Sequence, residues 1–114
     1  MAEALNRVDG VHAVPMQEVY PNHQFVTDET WIRDMGKRGW ICVTQNPYIR
    51  SSAIEMAAIR EAGARVFSLK KGDYSQHTQG FIFGRNFVRL RRRATKPGAC
   101  FWRIGEGDPL RDIP

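Results

Sequence analysis

Hydrophobic and polar positions along the chain change period several times, and each change marks an expected element. Residues Gly39 to Asn46 centre the pattern: Trp40 to Thr44 form an uninterrupted apolar and β-branched run between turn formers. Such a run suits a strand buried on both faces, as in a parallel sheet. Before it, Thr27 can cap a helix with Asp28 and Glu29 in its first turn, Trp31, Ile32 and Met35 share one face, and Gly36 to Gly39 end it. After it, Ser51 or Ser52 caps a second helix. Its stripe is Ile54, Ala57, Ala58 and Ala62, widened by Met56 and Ile59, and Gly63 closes it. Ala64 to Leu69 reads as the next strand and Lys70 to Asp73 as its turn. A third helix runs from about Ser75 to Ala94 on a stripe of Phe83, Phe87, Leu90 and Ala94. Pro97-Gly98 breaks it, and Ala99 to Ile104 forms a last strand.

The N-terminal part is patterned more weakly. Ala2 to Val8 reads as the end of a helix, Val11 to Val14 as a short strand, Met16 to Val26 has no period, and Pro21 to His23 looks like a loop. Alternation of strands and helices predicts an α/β class with a mainly parallel sheet. One domain over 1–104 and a flexible tail over 105–114, rich in Gly, Pro and charge, complete the expected organisation. The chain opens inside a helix with no strand before it, so the sheet is expected to lack its N-terminal strand.

Composition adds little to the fold but narrows the chemistry. The 114 residues are 42% hydrophobic and 25% charged, ordinary for a globular protein. No apolar run nears the ~20 residues of a membrane span, and no secretory leader is visible. Two cysteines make no disulfide framework, so a cytoplasmic protein without membrane contact is expected. Net charge is +5. No acid occurs between Tyr74 and Gly105, where Arg85, Arg89, Arg91, Arg92, Arg93, Lys96 and Arg103 all fall. Arg85, Arg89, Arg92 and Lys96 recur at helical spacing, which suits either a solvated face or phosphate contacts. An acidic protein partner would be served equally well.

Phosphate-binding glycine loops, a nucleophile elbow and Cys or His metal pairs are absent from the sequence. His12, His23 and His77 are scattered. Ligands of an open α/β sheet bind beyond the carboxyl ends of its strands, which directs attention to Asp28, Glu29 and Asp73. These carboxylates can cap a helix, fill a turn, or hold a hard cation. Tyr20, Tyr48 and Trp102 could pack in the core or stack on unpaired bases.

The pattern Thr30-Trp-Ile, six residues, Gly39-Trp-Ile-Cys-Val-Thr-Gln-Asn46, two residues, Ile49-Arg, then Ile59-Arg-Glu-Ala-Gly-Ala-Arg-Val-Phe-Ser-Leu69, resembles a known family. It is similar to the PIN-like domain of VapC-type toxins of toxin–antitoxin modules, in the subgroup with a Trp-Val-Val-Val-Thr-x-Asp strand. The likeness spans roughly Ala2 to Ile104 and is most specific from Asp28 to Leu69. It implies a three-layer α/β/α sandwich and an endoribonuclease using Mg²⁺ or Mn²⁺. RNA and a cognate antitoxin are the implied partners; a homodimer follows from the resemblance alone. Asp28, or its neighbour Glu29, takes the place of the acid before Trp-Ile. Asn46 stands where the family has Asp after the central strand, offering a carbonyl but no charge, and Asp73 fits a later polar position loosely. A first strand ending in another metal-binding Asp is implied but not found. A start placed too late and a decayed remnant both account for that. The resemblance therefore implies a metal-dependent ribonuclease with Asp28 and Asn46 in its site, and Arg85, Arg89, Arg92 and Lys96 are expected to hold phosphates if they face the cleft. The alternative is an inactive module that binds antitoxin or RNA. A small DNA-binding protein is a third possibility, but no helix-turn-helix spacing supports it.

Overall fold

The structure, a computed structural model, describes residues 13–21 and 26–114. The helix expected over Ala2 to Val8, the start of the strand expected at Val11, and His12 and His23 lie outside the described residues. Where no period was visible, Met16–Val19 (α1) makes a single helical turn. One turn is too short to leave a pattern in sequence.

Helix α2, Asp28–Arg38, is built as its sequence dictates. The Thr27 hydroxyl accepts from the Thr30 amide at 3.2 Å, and Gly39 leaves the helix at φ 69°, in the left-handed region. Strand β1, Ile41–Thr44, follows, then a 3₁₀ turn at Ile49–Ser51 and helix α3, Ala53–Ala62. Strand β2 is Arg65–Leu69, helix α4 is Gln76–Ala94, and strand β3 is Cys100–Ile104. Residues 110–113 depart from the expected flexible tail: Leu110–Ile113 is strand β4, antiparallel to β3 with a bulge at Phe101/Trp102. It is held by side chains the tail's composition did not suggest. Asp112 accepts from Arg103 at 2.8 Å and from Arg50 at 3.0 Å.

The sheet runs β1-β2-β3-β4, parallel across the first three strands, with β1 its outer strand among the described residues. Side chains alternate cleanly between its faces. Cys42, Val66 and Phe101 face α2 and α3, meeting Trp31, Ile32, Met35, Met56 and Ile59. Phe67, Leu69, Trp102 and Ile104 face the other way, against Ile82, Phe83 and Leu90 of α4. Helices thus cover both faces, giving the expected three layers. Two stripes shift in detail. Ile54 is exposed rather than inward, and α4 buries Gln79, Ile82 and Asn86 where Phe87 was expected. The Asn86 amide donates to the Ile82 carbonyl at 2.8 Å, so a polar residue inside the helix stripe is tolerated. Among the described residues no helix is long and apolar enough to cross a membrane.

This topology sets the two edges of the sheet apart. The amino edge gathers Gly39, Arg65, the end of α4 and the 95–99 loop. The carboxyl edge gathers the loops after β1, β2 and β3 and the N-termini of α2, α3 and α4, because each of these helices runs back against the strands.

Candidate functional site

Asp28, in the first turn of α2, and Asn46, two residues beyond β1, meet at the carboxyl edge. The Asn46 side-chain amide donates to Asp28 Oδ2 at 3.0 Å, and the Trp31 indole N–H donates to Asp28 Oδ1 at 2.9 Å. Asn46 Oδ1 accepts the Tyr48 amide at 2.9 Å. That bond fixes which way the amide points, since rotating it would set N–H against N–H and oxygen against carboxylate. Thr44 Oγ1 accepts the Asn46 backbone N–H at 3.1 Å, and buried Ser68 Oγ donates to the Asn46 carbonyl at 2.7 Å. The loop after β1 is therefore tied to both β1 and β2 before any ligand arrives.

A second carboxyl joins Asp28. Ser52 caps α3 by accepting from the Glu55 amide at 3.2 Å, which sets the half-buried Glu55 side chain near enough to Asp28 for the two carboxyls to interact. Burial and then the Asp28 carboxylate push the Glu55 carboxyl above its ordinary value. Glu55 was not singled out from sequence. Ser52-Ala53-Ile54-Glu55 is a capping box, so its place on the helix was legible, but its approach to Asp28 depends on how α2 packs on α3.

The other expected ligands go elsewhere. Glu29 pairs with Arg33 at 3.3 Å, and Arg33 reaches Glu61 of α3 at 2.8 Å, forming an exposed bridge between the two helices. Asp73 lines an open groove of about 650 Å³ with Pro47, Tyr48, Lys70, Lys71 and Gly72. The groove adjoins Asn46 through Tyr48, which is 73% exposed, and Lys71 lies 6.0 Å from the Tyr74 ring. Tyr48 is thus open to stacking. Tyr20 is not, since its hydroxyl donates to Asp34, and Trp102 is buried.

The basic stripe of α4 is divided between the two edges: Arg89 reaches Asp108 in the loop after β3 at 3.0 Å, and the Asp108 carbonyl also accepts from Lys70 of the groove at 3.1 Å. Arg85 is exposed along the helix. Arg92 and Lys96 sit at the amino edge, where the Lys96 carbonyl accepts from Arg93 at 3.0 Å. Arg93, between them in sequence, also donates to the carbonyls of Pro114, Gly98 and Ala99 at 2.7, 3.1 and 3.0 Å.

Asp28 and Glu55 are the only two carboxylates gathered here among the described residues, and no group of three or more His, Cys, Asp or Glu is placed to hold a metal ion. Both Asp28 oxygens face N–H donors and the Asn46 oxygen faces a backbone amide. Hard cations such as Mg²⁺ need several free oxygens, so these residues as arranged do not fit Mg²⁺ or Mn²⁺.

The sequence profile of the PIN-like domain family matches residues 1–71. A Mycobacterium tuberculosis protein named "Putative ribonuclease VapC45" is 26% identical over 102 residues, spanning 88% of this chain and 74% of that protein. No solved structure matches. With the profile covering more than half of the residues, this chain belongs to the PIN-like domain family.

Proposed function

We propose that the chain is a VapC-type ribonuclease of a toxin–antitoxin module, which takes RNA across the carboxyl edge of its sheet. The observation that carries this reading is the pairing of Asp28 and Glu55 beside the groove of Tyr48, Lys70 and Lys71. Glu55, with its carboxyl raised by burial and by Asp28, is the group suited to exchange a proton at a phosphodiester. Asp28 holds it in that state. Tyr48 offers a face to an unpaired base, and Lys71 a charge to the adjoining phosphate. The named relative supports RNA as substrate and an antitoxin as partner. No step is assigned to Mg²⁺ or Mn²⁺, because the donor set does not fit them.

The test is cleavage of a labelled single-stranded RNA, with binding measured in parallel. Cleavage by the wild type that falls at least about tenfold in Asp28→Asn and in Glu55→Gln supports the reading, a general acid–base contribution being about 10²–10⁴-fold. Lys71→Ala should also reduce the slope of log affinity against log salt by about 0.7, one phosphate contact on a single strand, whereas Lys96→Ala should leave it unchanged. A second reading, RNA or antitoxin binding without cleavage, is favoured by the closure of the Asp28 carboxylate by two N–H donors. RNA retained but uncut by the wild type would establish it and end the enzyme assignment.

A further inference from the structure

We infer that Asp28, Glu55 and position 46 form a latent cation cradle that the Asn46 amide keeps closed. The inference goes beyond the proposed function and does not depend on RNA cleavage. A carboxylate near a second carboxyl needs positive charge or N–H dipoles beside it. Here Asp28 receives dipoles from Trp31 and Asn46, at 2.9 and 3.0 Å. The Asn46 N–H lies where a cation would have to sit to touch Asp28 Oδ2 from the side of β1. It cannot turn aside, because its oxygen is held by the Tyr48 amide and its backbone by Thr44 and Ser68. The amide thus supplies the local positive partner that a divalent ion would otherwise provide, and bars the ion from the same place.

One atom decides between these states. Asn46→Asp keeps the shape and keeps the Tyr48 contact, but replaces the donor with an oxygen facing Asp28 at about the same separation. Asp28, Glu55 and the new carboxylate would then converge, repelling one another until a hard cation enters. The wild type should ignore divalent ions at this edge, and the variant should require them.

Trp31 reports on the site directly, since its indole N–H is bonded to Asp28. The experiment titrates the full ¹⁵N-labelled chain with Mn²⁺ and follows its three indole signals, those of Trp31, Trp40 and Trp102. In the wild type the Trp31 signal should broaden no sooner than the other two. In Asn46→Asp it should broaden selectively at a Mn²⁺ concentration lower by about tenfold or more, and Mg²⁺ should raise a midpoint of thermal unfolding that is depressed in EDTA. Should Asn46→Asp fail to fold, Asn46→Ala removes the donor without adding charge and should still make Trp31 more sensitive to Mn²⁺ than in the wild type. Selective broadening of Trp31 in the wild type would overturn the inference. So would variants whose Trp31 signal responds no differently from the wild type's. Neither outcome bears on whether the wild type cuts RNA.

Discussion

The two edges of the sheet use polar side chains in opposite ways. At the amino edge, guanidinium groups meet backbone carbonyls. Arg93 bonds to four of them, and Arg65 donates to the carbonyl of Ala94 and, at 2.8 Å, to that of Gly39. At the carboxyl edge three helices present their N-termini, so carboxylates and acceptors collect there instead, with Asp28 and Glu55 in first turns. The two ends are thereby finished differently: guanidinium groups bind carbonyls at the amino edge, while the carboxyl edge sets Asp28 and Glu55 beside the lysines of the groove. Within the arginine run of α4, Arg93 braces the backbone and Arg89 pairs with Asp108 at the surface, while Arg85, Arg91 and Arg92 stay exposed.

The comparison breaks most visibly at Arg93. Arg93→Ala removes bonds to the carbonyls of Lys96, Gly98, Ala99 and Pro114 together, and should cost about 2–4 kcal/mol, since hydrogen bonds to charged groups contribute about 1.5–3 each but share one side chain's ordering. Arg92→Ala, one residue away and exposed, should stay within about 0.5 kcal/mol. Urea unfolding of both variants checks this. Equal losses would mean that the amino edge is not held by Arg93.

At the other edge the comparison turns on how α2 and α3 approach. A Cβ at Gly36 would lie 2.6 Å from the Ala62 carbonyl oxygen and 2.8 Å from its Cβ, so the helices must part in Gly36→Ala. That overpacking should cost about 1–3 kcal/mol. Asp28 and Glu55 ride on these two helices, so the Glu55 carboxyl should also move back toward its ordinary pKa, as ¹³C NMR titration would read. Gly80→Ala, where nothing lies within 4 Å, should instead stabilise by about 0.5–1 kcal/mol. If both glycines respond alike, close packing does not set the acid pair.

The same contrast explains what the sequence could disclose. Local signals carried well: the Thr27 and Ser52 caps, the Gly39 and Gly63 stops and the apolar run of β2 all lie within a few residues of the features they determine. The run of β1 does form a strand, but not one buried on both faces: it is the outer strand among the described residues, with Cys42 buried and Trp40 and Ile41 exposed. Asp28 and Asn46 were assigned to one site by the family resemblance, and the structure joins them at 3.0 Å. What escaped depends on distant pairing. Strand β4 reads as a charged tail because its stability comes from Arg50 and Arg103, 62 and 9 residues away from Asp112. Gln79 and Asn86 interrupt the apolar stripe of α4, so its buried face was displaced by a few residues. Glu55 was not singled out, because its approach to Asp28 depends on how α2 packs on α3, and the bracing by Arg93 escaped because carbonyl acceptors leave no mark in sequence.

The smallest effect is the one that separates two carboxylates, Glu55 and Asp112, by sign. Glu55 has a raised carboxyl pKa, through burial and then Asp28. Its contribution to stability is therefore complete below the unfolded value, about 4.3, and is lost as pH rises through the raised folded one. Asp112 behaves in the opposite sense. Burial alone would raise its carboxyl, but hydrogen bonds from Arg103 and Arg50 outweigh burial and hold it below the ordinary value. Its contribution is present above about 3.9 and is lost as pH falls through the lowered folded value. Urea stability measured across acid to neutral pH should thus lose its decline on the alkaline side of about 4.3 in Glu55→Gln, leaving that variant more stable than the wild type at neutral pH. Asp112→Asn should weaken the fold at neutral pH and remove the acid-side loss. Parallel profiles for the two variants would show that the acid pair is not strained against itself, and would remove the physical ground for giving Glu55 the proton-exchanging role.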